Sequence, residues 1–187
     1  MNRLQLILAC IVFALNTSPA SAENRRAEIE PLLSALRLPE AGKIADEWLA
    51  KEEGTLESVD LASALETAAD LRLLKGDPPA SLRVLVGRAL AIRTKIAGAD
   101  DPTLASAINL LGSIAFRATD YRGSANEYRK ALALQKQDTA TLADTLAGLG
   151  QATGFGGDPR AAVPLVERAL AIRKRPRVPT ALAWPRR

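Results

Sequence analysis

Internal repetition constrains this chain more than any other feature. Two phrases recur three times, always in the same order. The first reads Leu61-Ala62-Ser63-Ala64-Leu65, then Leu104-Ala105-Ser106-Ala107-Ile108, then Leu142-Ala143-Asp144-Thr145-Leu146, at offsets of 43 and 38 residues. The second closes each segment as Arg88-Ala89-Leu90-Ala91-Ile92-Arg93, Lys130-Ala131-Leu132-Ala133-Leu134-Gln135 and Arg168-Ala169-Leu170-Ala171-Ile172-Arg173. Between the two phrases stand Gly76-Asp77, Thr119-Asp120 and Gly157-Asp158. Such an order marks a stack of similar units, each packed on its neighbours.

The spacing inside each unit is helical. Leu104, Ile108, Leu111 and Ala115 fall on one stripe of an α-helix. Tyr128, Ala131 and Leu132 form the predicted inward face of a second helix. Asp77-Pro78, Asp101-Pro102 and Asp158-Pro159 each place a capping carboxylate before a proline suited to a first turn. Gly76 and Gly157 fit positions just past a helix end. Each unit is therefore a hairpin of two helices, at about residues 61–103, 104–141 and 142–174. Aromatic residues make up only 4% of the chain, so Ala, Leu, Ile and Val must build the core.

These residues resemble the tetratricopeptide repeat (TPR) pattern. Its markers match best at Leu146, Leu149, Gly150, Gly157, Ala162 and Ala169. The second copy gives Ile108, Leu111, Gly112, Ser124, Tyr128 and Ala131. In the first, Ala68 and Ala69 replace Leu and Gly, and an extra proline shifts Leu82, Val86 and Ala89 by one position. The closing phrase and the run Thr94 to Thr103 look like the longer kinesin-light-chain-like subtype. The resemblance covers residues 58–174 and implies an all-α solenoid of about three stacked hairpins, wound as a right-handed superhelix. It implies close contacts at Gly112, Gly150 and Ala131.

The flanks differ from the repeats. Arg3, the apolar run Leu4 to Leu15 and the small residues Ala20-Ser21-Ala22 read as a signal peptide over residues 1–22, cleaved after Ala22. An uncleaved anchor or a lipid on Cys10 are the alternatives, and the run is too short to span a membrane. The chain is accordingly expected to be exported, to a periplasm or beyond the cell. Residues 23–57 read as an N-terminal helical cap or a degenerate repeat. One helix is suggested by Ile29, Leu32, Leu33 and Leu36, with Pro31 near its start. Ala41, Ile44, Ala45, Trp48 and Leu49 suggest another, and Gly54 and Thr55 a connector. Residues 175–187 read as a basic, proline-rich tail, in which Pro176, Pro179 and Pro185 prevent a regular helix. The net charge of +4 comes from six basic residues between Arg173 and Arg187 with no acid among them. The body is slightly acidic, which with export argues against a nucleic-acid partner.

The chain has no histidine, and its single cysteine, Cys10, lies in the expected signal. The commonest general base and metal ligand are absent. No phosphate-binding loop appears, and Gly148, Gly150, Gly154, Gly156 and Gly157 follow no strand. We therefore expect no catalytic residues, no cofactor and no metal site.

By the TPR resemblance, the inner face of the first helices contacts the ligand. Carried over by position, that face holds Ser63, Glu66 and Asp70 in the first copy, Asn109, Ser113, Phe116 and Arg117 in the second, and Asp144, Ala147 and Gln151 in the third. The expected function is a non-enzymatic scaffold that binds a protein or peptide in this groove. The alternatives are a structural envelope protein that self-associates through its C-terminal face, or a truncated repeat region of a larger multidomain protein.

Overall fold

In a computed structural model, residues 19–54 and 56–175 are described. Among them lie eight α-helices and no strand. They are α1 (Pro19–Ser34), α2 (Leu38–Glu52), α3 (Val59–Lys75), α4 (Pro79–Ala97), α5 (Ala105–Arg117), α6 (Tyr121–Leu134), α7 (Ala140–Phe155) and α8 (Pro159–Lys174), with a 3-10 turn at Pro102–Leu104 before α5. Residues 1–18, Thr55 and 176–187, which carry the signal's apolar run, part of the connector and most of the tail, lie outside the described residues.

Short-range chemistry sets the helix ends. The Ser58 hydroxyl accepts from the Leu61 amide at 3.1 Å, and Thr139 does the same for Leu142 at 3.1 Å. The Asp120 carboxylate caps Gly123 at 2.8 Å, and Asp158 caps Ala161 at 3.0 Å. Asp77, expected as a cap, is not one: the residue before α4 is Pro78, with no side-chain cap, and the helix starts at Pro79. The extra proline of that copy displaces the aspartate from the capping position.

The turn inside each repeat has one design. Gly76, Thr119 and Gly157 take the left-handed conformation, with φ of 91°, 60° and 106°. In each, the following Asp donates its amide five residues back: Asp77 to Arg72, Asp120 to Ala115 and Asp158 to Thr153, each at 3.0 Å. Leu36 ends α1 in the same way at φ 56°, with the Arg37 amide on the Leu32 carbonyl at 2.8 Å. The first helix of the cap therefore differs from expectation. It starts at Pro19, takes Pro31 well inside it, and stops before Leu36, which is 83% exposed. It also runs through the expected cleavage site, and Ala22 packs in a core cluster with Trp48, Leu49 and Leu65.

Packing is local along the chain. Every helix touches only the next helix or the next but one. The first helices of successive hairpins touch each other, α1 on α3, α3 on α5 and α5 on α7. The second helices, α2, α4, α6 and α8, have no such contacts. The first helices thus form the inner, tighter layer, as a concave solenoid surface requires. Between α5 and α7 sits Tyr128 of α6. A Cβ on Gly112 would lie 3.0 Å from its ring, and one on Gly148 only 2.3 Å. Its hydroxyl meets that of Ser113 at 2.9 Å.

Candidate binding groove

The inner layer encloses a groove of about 650 Å³. Helix α1 supplies Arg26, Ile29, Glu30 and Leu33 to its lining, and α3 supplies Glu66, Thr67 and Asp70. From α5 come Ser106, Asn109, Leu110 and Ser113, and from α7 Thr141 and Asp144. Of the residues singled out in the sequence, the groove gathers Glu66, Asp70, Asn109, Ser113 and Asp144. Ser63 lies beneath it, buried. Phe116, Arg117 and Gln151 are not among its lining residues.

Several of these side chains are already engaged. Glu66 is 6% exposed and accepts from Arg93 Nε at 2.5 Å, while Arg93 Nη2 also donates to the Ser63 hydroxyl at 3.0 Å. Ser106 donates to Glu66 at 3.2 Å, and the Arg26 guanidinium stands 3.9 Å from it. Ser63 and Glu66 thus fasten α3 to α4. Asn109 Oδ1 lies 3.0 Å from the Thr145 hydroxyl, which accepts from Gln135 at 2.7 Å. That chain ties α5, α6 and α7 together. Asp144 is paired with Arg173 at 2.6 Å, on an exposed pair worth little to stability.

Asp70 and Glu30 are different. Among the described residues neither carboxylate has a hydrogen-bond or ion-pair partner. Asp70 stays open to solvent, yet the concave wall crowds it, and desolvation raises its pKa above the usual carboxylate value. Beside them lie apolar residues: Ile29 and Leu110, 3% and 9% exposed, belong to the core beneath the groove, and Leu33 is partly exposed at its wall. The groove therefore offers apolar contact at Leu33 and two unneutralised acids. Tyr128 behaves in the opposite sense to a nucleophile, since burial pushes its pKa up.

The sequence reading passed over the contribution of α1. Its Ile29 and Leu33 suggested only a helix; Ile29 is 3% exposed in a core cluster with Ala41, Ala45 and Leu71, Leu33 packs against that cluster, and both border the groove because α1 is the first helix of a hairpin. Phe116 stacks elsewhere: its ring is 5.3 Å from both Tyr121 and Phe155, in edge contacts. That cluster borders a second hollow of about 570 Å³, lined also by Arg122 and Arg129. Among the described residues no group of His, Cys, Asp and Glu is placed to hold a metal, and no helix is long and apolar enough to cross a membrane.

No family model and no curated protein matches the sequence. The fold does have solved counterparts. It is similar to the nearly identical TPR-like repeats assigned to a kinesin light chain of Podosopora anserina, at TM-score 0.67 and 16% identity over 84% of this chain and 77% of that one. It is also similar to BtubC (BKLC) from P. vanneervenii, at TM-score 0.63 and 21% identity over 89% of this chain and 71% of that one.

Proposed function

We propose that this chain, whose fold is that of a TPR-like repeat solenoid, is a protein-interaction scaffold that holds an extended segment of a partner in its concave groove. The observation that carries the reading is the pairing of Asp70 and Glu30, acids without partners, with the partly exposed Leu33 at the groove wall. A carboxylate desolvated by its surroundings is costly until a cation neutralises it. The segment that fits carries Lys or Arg beside aliphatic residues. Hydrogen-bonding groups on Thr67, Asn109 and Thr141 suit the backbone of such a segment. We read the role as binding rather than catalysis, because the groove lacks any paired nucleophile and base. We place its action outside the cytosol on the pattern of residues 1–22; after cleavage α1 would begin at Glu23.

The test is fluorescence anisotropy with two labelled peptides, one alternating Lys and Leu and one alternating Glu and Leu. The cationic peptide should bind saturably and more weakly as salt rises. Glu30→Gln with Asp70→Asn should weaken it by ~10-fold, about 1.4 kcal/mol. Equal binding of the acidic peptide, or unchanged affinity in the double variant, would refute the reading.

A further inference from the structure

The chain leaves α8 beside the groove. At the end of that helix Arg173 is paired with Asp144 at 2.6 Å, and Arg175 with Asp138 at 2.5 Å. Asp144 and Thr141 form the α7 wall of the groove. Arg175 is extended, with φ −63° and ψ 129°. Gln135 is extended in the same sense where the chain leaves α6, and from there it crosses to α7 in the inner layer. The chain beyond Arg175 therefore starts from the rim of the groove.

Its sequence complements the groove lining. Residues 176–187 read Pro-Arg-Val-Pro-Thr-Ala-Leu-Ala-Trp-Pro-Arg-Arg, with three cations, no acid and the apolar Val178, Leu182 and Trp184. The lining carries the acids Glu30, Glu66, Asp70 and Asp144 against one cation, Arg26. Arg93 and Arg173 satisfy Glu66 and Asp144, which leaves Glu30 and Asp70 at the far end. Prolines in the segment suit an extended path.

We infer that residues 176–187 lie back along the groove of their own chain, as a built-in ligand that a partner segment must displace. The inference rests on the groove reading above and names a regulator of that site. Length permits it. From α7 to α1 the groove crosses three helix-to-helix steps of ~8–10 Å, so ~30 Å at most. Twelve residues in an extended path reach ~37 Å. Arg177 then stays near α7, and Arg186 and Arg187 come to Asp70 and Glu30. So short a tether gives the segment an effective concentration of ~1 mM, and a Kd of ~0.5 mM then weakens an incoming segment ~3-fold. Residues 1–18 are a poorer occupant, because Arg3 is their one basic side chain.

The experiment uses the full chain and the alternating Lys and Leu peptide as probe. Arg177→Gln, Arg186→Gln and Arg187→Gln together should tighten the peptide ~3-fold, with helix content unchanged. In the Glu30→Gln, Asp70→Asn background this gain should vanish, which separates displacement of the segment from a general loss of repulsion. Conversely, the groove variant should cost ~30-fold on the neutralised chain, more than on the natural one, where it also frees the segment. Trp184 gives a direct reading, because Trp48 is 2% exposed and out of reach of acrylamide. Quenching in the natural chain should be slow, and it should rise to the level of the Glu30→Gln, Asp70→Asn chain once the peptide saturates the groove. A peptide that binds through Glu30 and Asp70, with equal affinity for the natural and neutralised chains, leaves the groove reading standing and overturns the inference. A peptide that binds neither chain overturns both. A gain produced by Arg3→Gln instead makes residues 1–18 the occupant. Protection of Trp184 that appears only as protein concentration rises places the segment in a second copy. Either result overturns the inference.

Discussion

Thr119 is the most strained residue of the repeat turns. It holds φ 60° at the position that Gly76 and Gly157 fill in the other two copies. A β-branched residue pays for a left-handed backbone with ~1 kcal/mol or more. Thr119→Gly should therefore raise the melting temperature, and a lowered one would show that the turn tolerates the threonine. The opposite sign is expected at Gly148. An added methyl there meets Tyr128 Cζ at 2.3 Å, so Gly148→Ala should cost ~1–3 kcal/mol by overpacking. Gly112→Ala, at 3.0 Å, should cost less. Denaturant titration of the two variants checks the order. The repeat pattern marks Gly112 and Gly150 as close contacts and leaves Gly148 unassigned. Gly148 sits at no marker position, and only the path of the Tyr128 ring reveals it. The engaged side chains were half legible. Arg93 and Arg173 end the shared phrase, and they reach Ser63 and Asp144, which occupy the same position of the opening phrase. That correspondence is visible in the aligned copies. What the alignment cannot give is burial, which turns Ser63 and Glu66 from exposed candidates into a fastening.

The helices themselves were readable because apolar spacing agreed in three copies and the glycine turn in two, at Gly76 and Gly157. Readability failed where the copies gave no vote. α1 has no aligned counterpart phrase, and its Pro31 looked like a start signal when the helix had begun three turns earlier. α3 shows what helix position does to a charge. Asp60 stands in its first turn, where a carboxylate suits the helix dipole, but it is 3% exposed and both its oxygens lack hydrogen bonds. Desolvation raises its pKa above the ordinary 3.8, opposed by Lys51. For a carboxylate the raised value means that the folded state holds the proton more tightly than the unfolded state. Ionisation then costs stability, in full above the folded pKa and not at all below the unfolded one. Asp60→Asn should accordingly stabilise the chain at neutral pH. The gain should shrink as pH falls through the folded value and vanish below the unfolded one. A gain independent of pH would assign the effect to something other than this charge.

At the scale of the whole molecule, two layers divide the labour. The inner helices carry the polar groups of the groove, and the outer helices carry the phrase that locks each hairpin to the next. Because every contact is with a near neighbour along the chain, damage should stay near where it is made. Trp48, 2% exposed, reports the first half of the core, and Tyr128 the second. In Gly148→Ala, with Trp184→Phe to clear the fluorescence, the Tyr128 near-ultraviolet dichroism should be lost at lower urea than the Trp48 emission. Coincident curves would show that the stack melts as one. Neighbour-only packing has a further result, which concerns speed. No helix waits for a distant part of the chain before it can pack, so the search for the native arrangement closes only short loops. A chain of this kind belongs with fast folders, in the range of about microseconds to milliseconds. It also has no single place where folding must begin: any hairpin that forms offers the next one a template, and assembly can run from it towards either end.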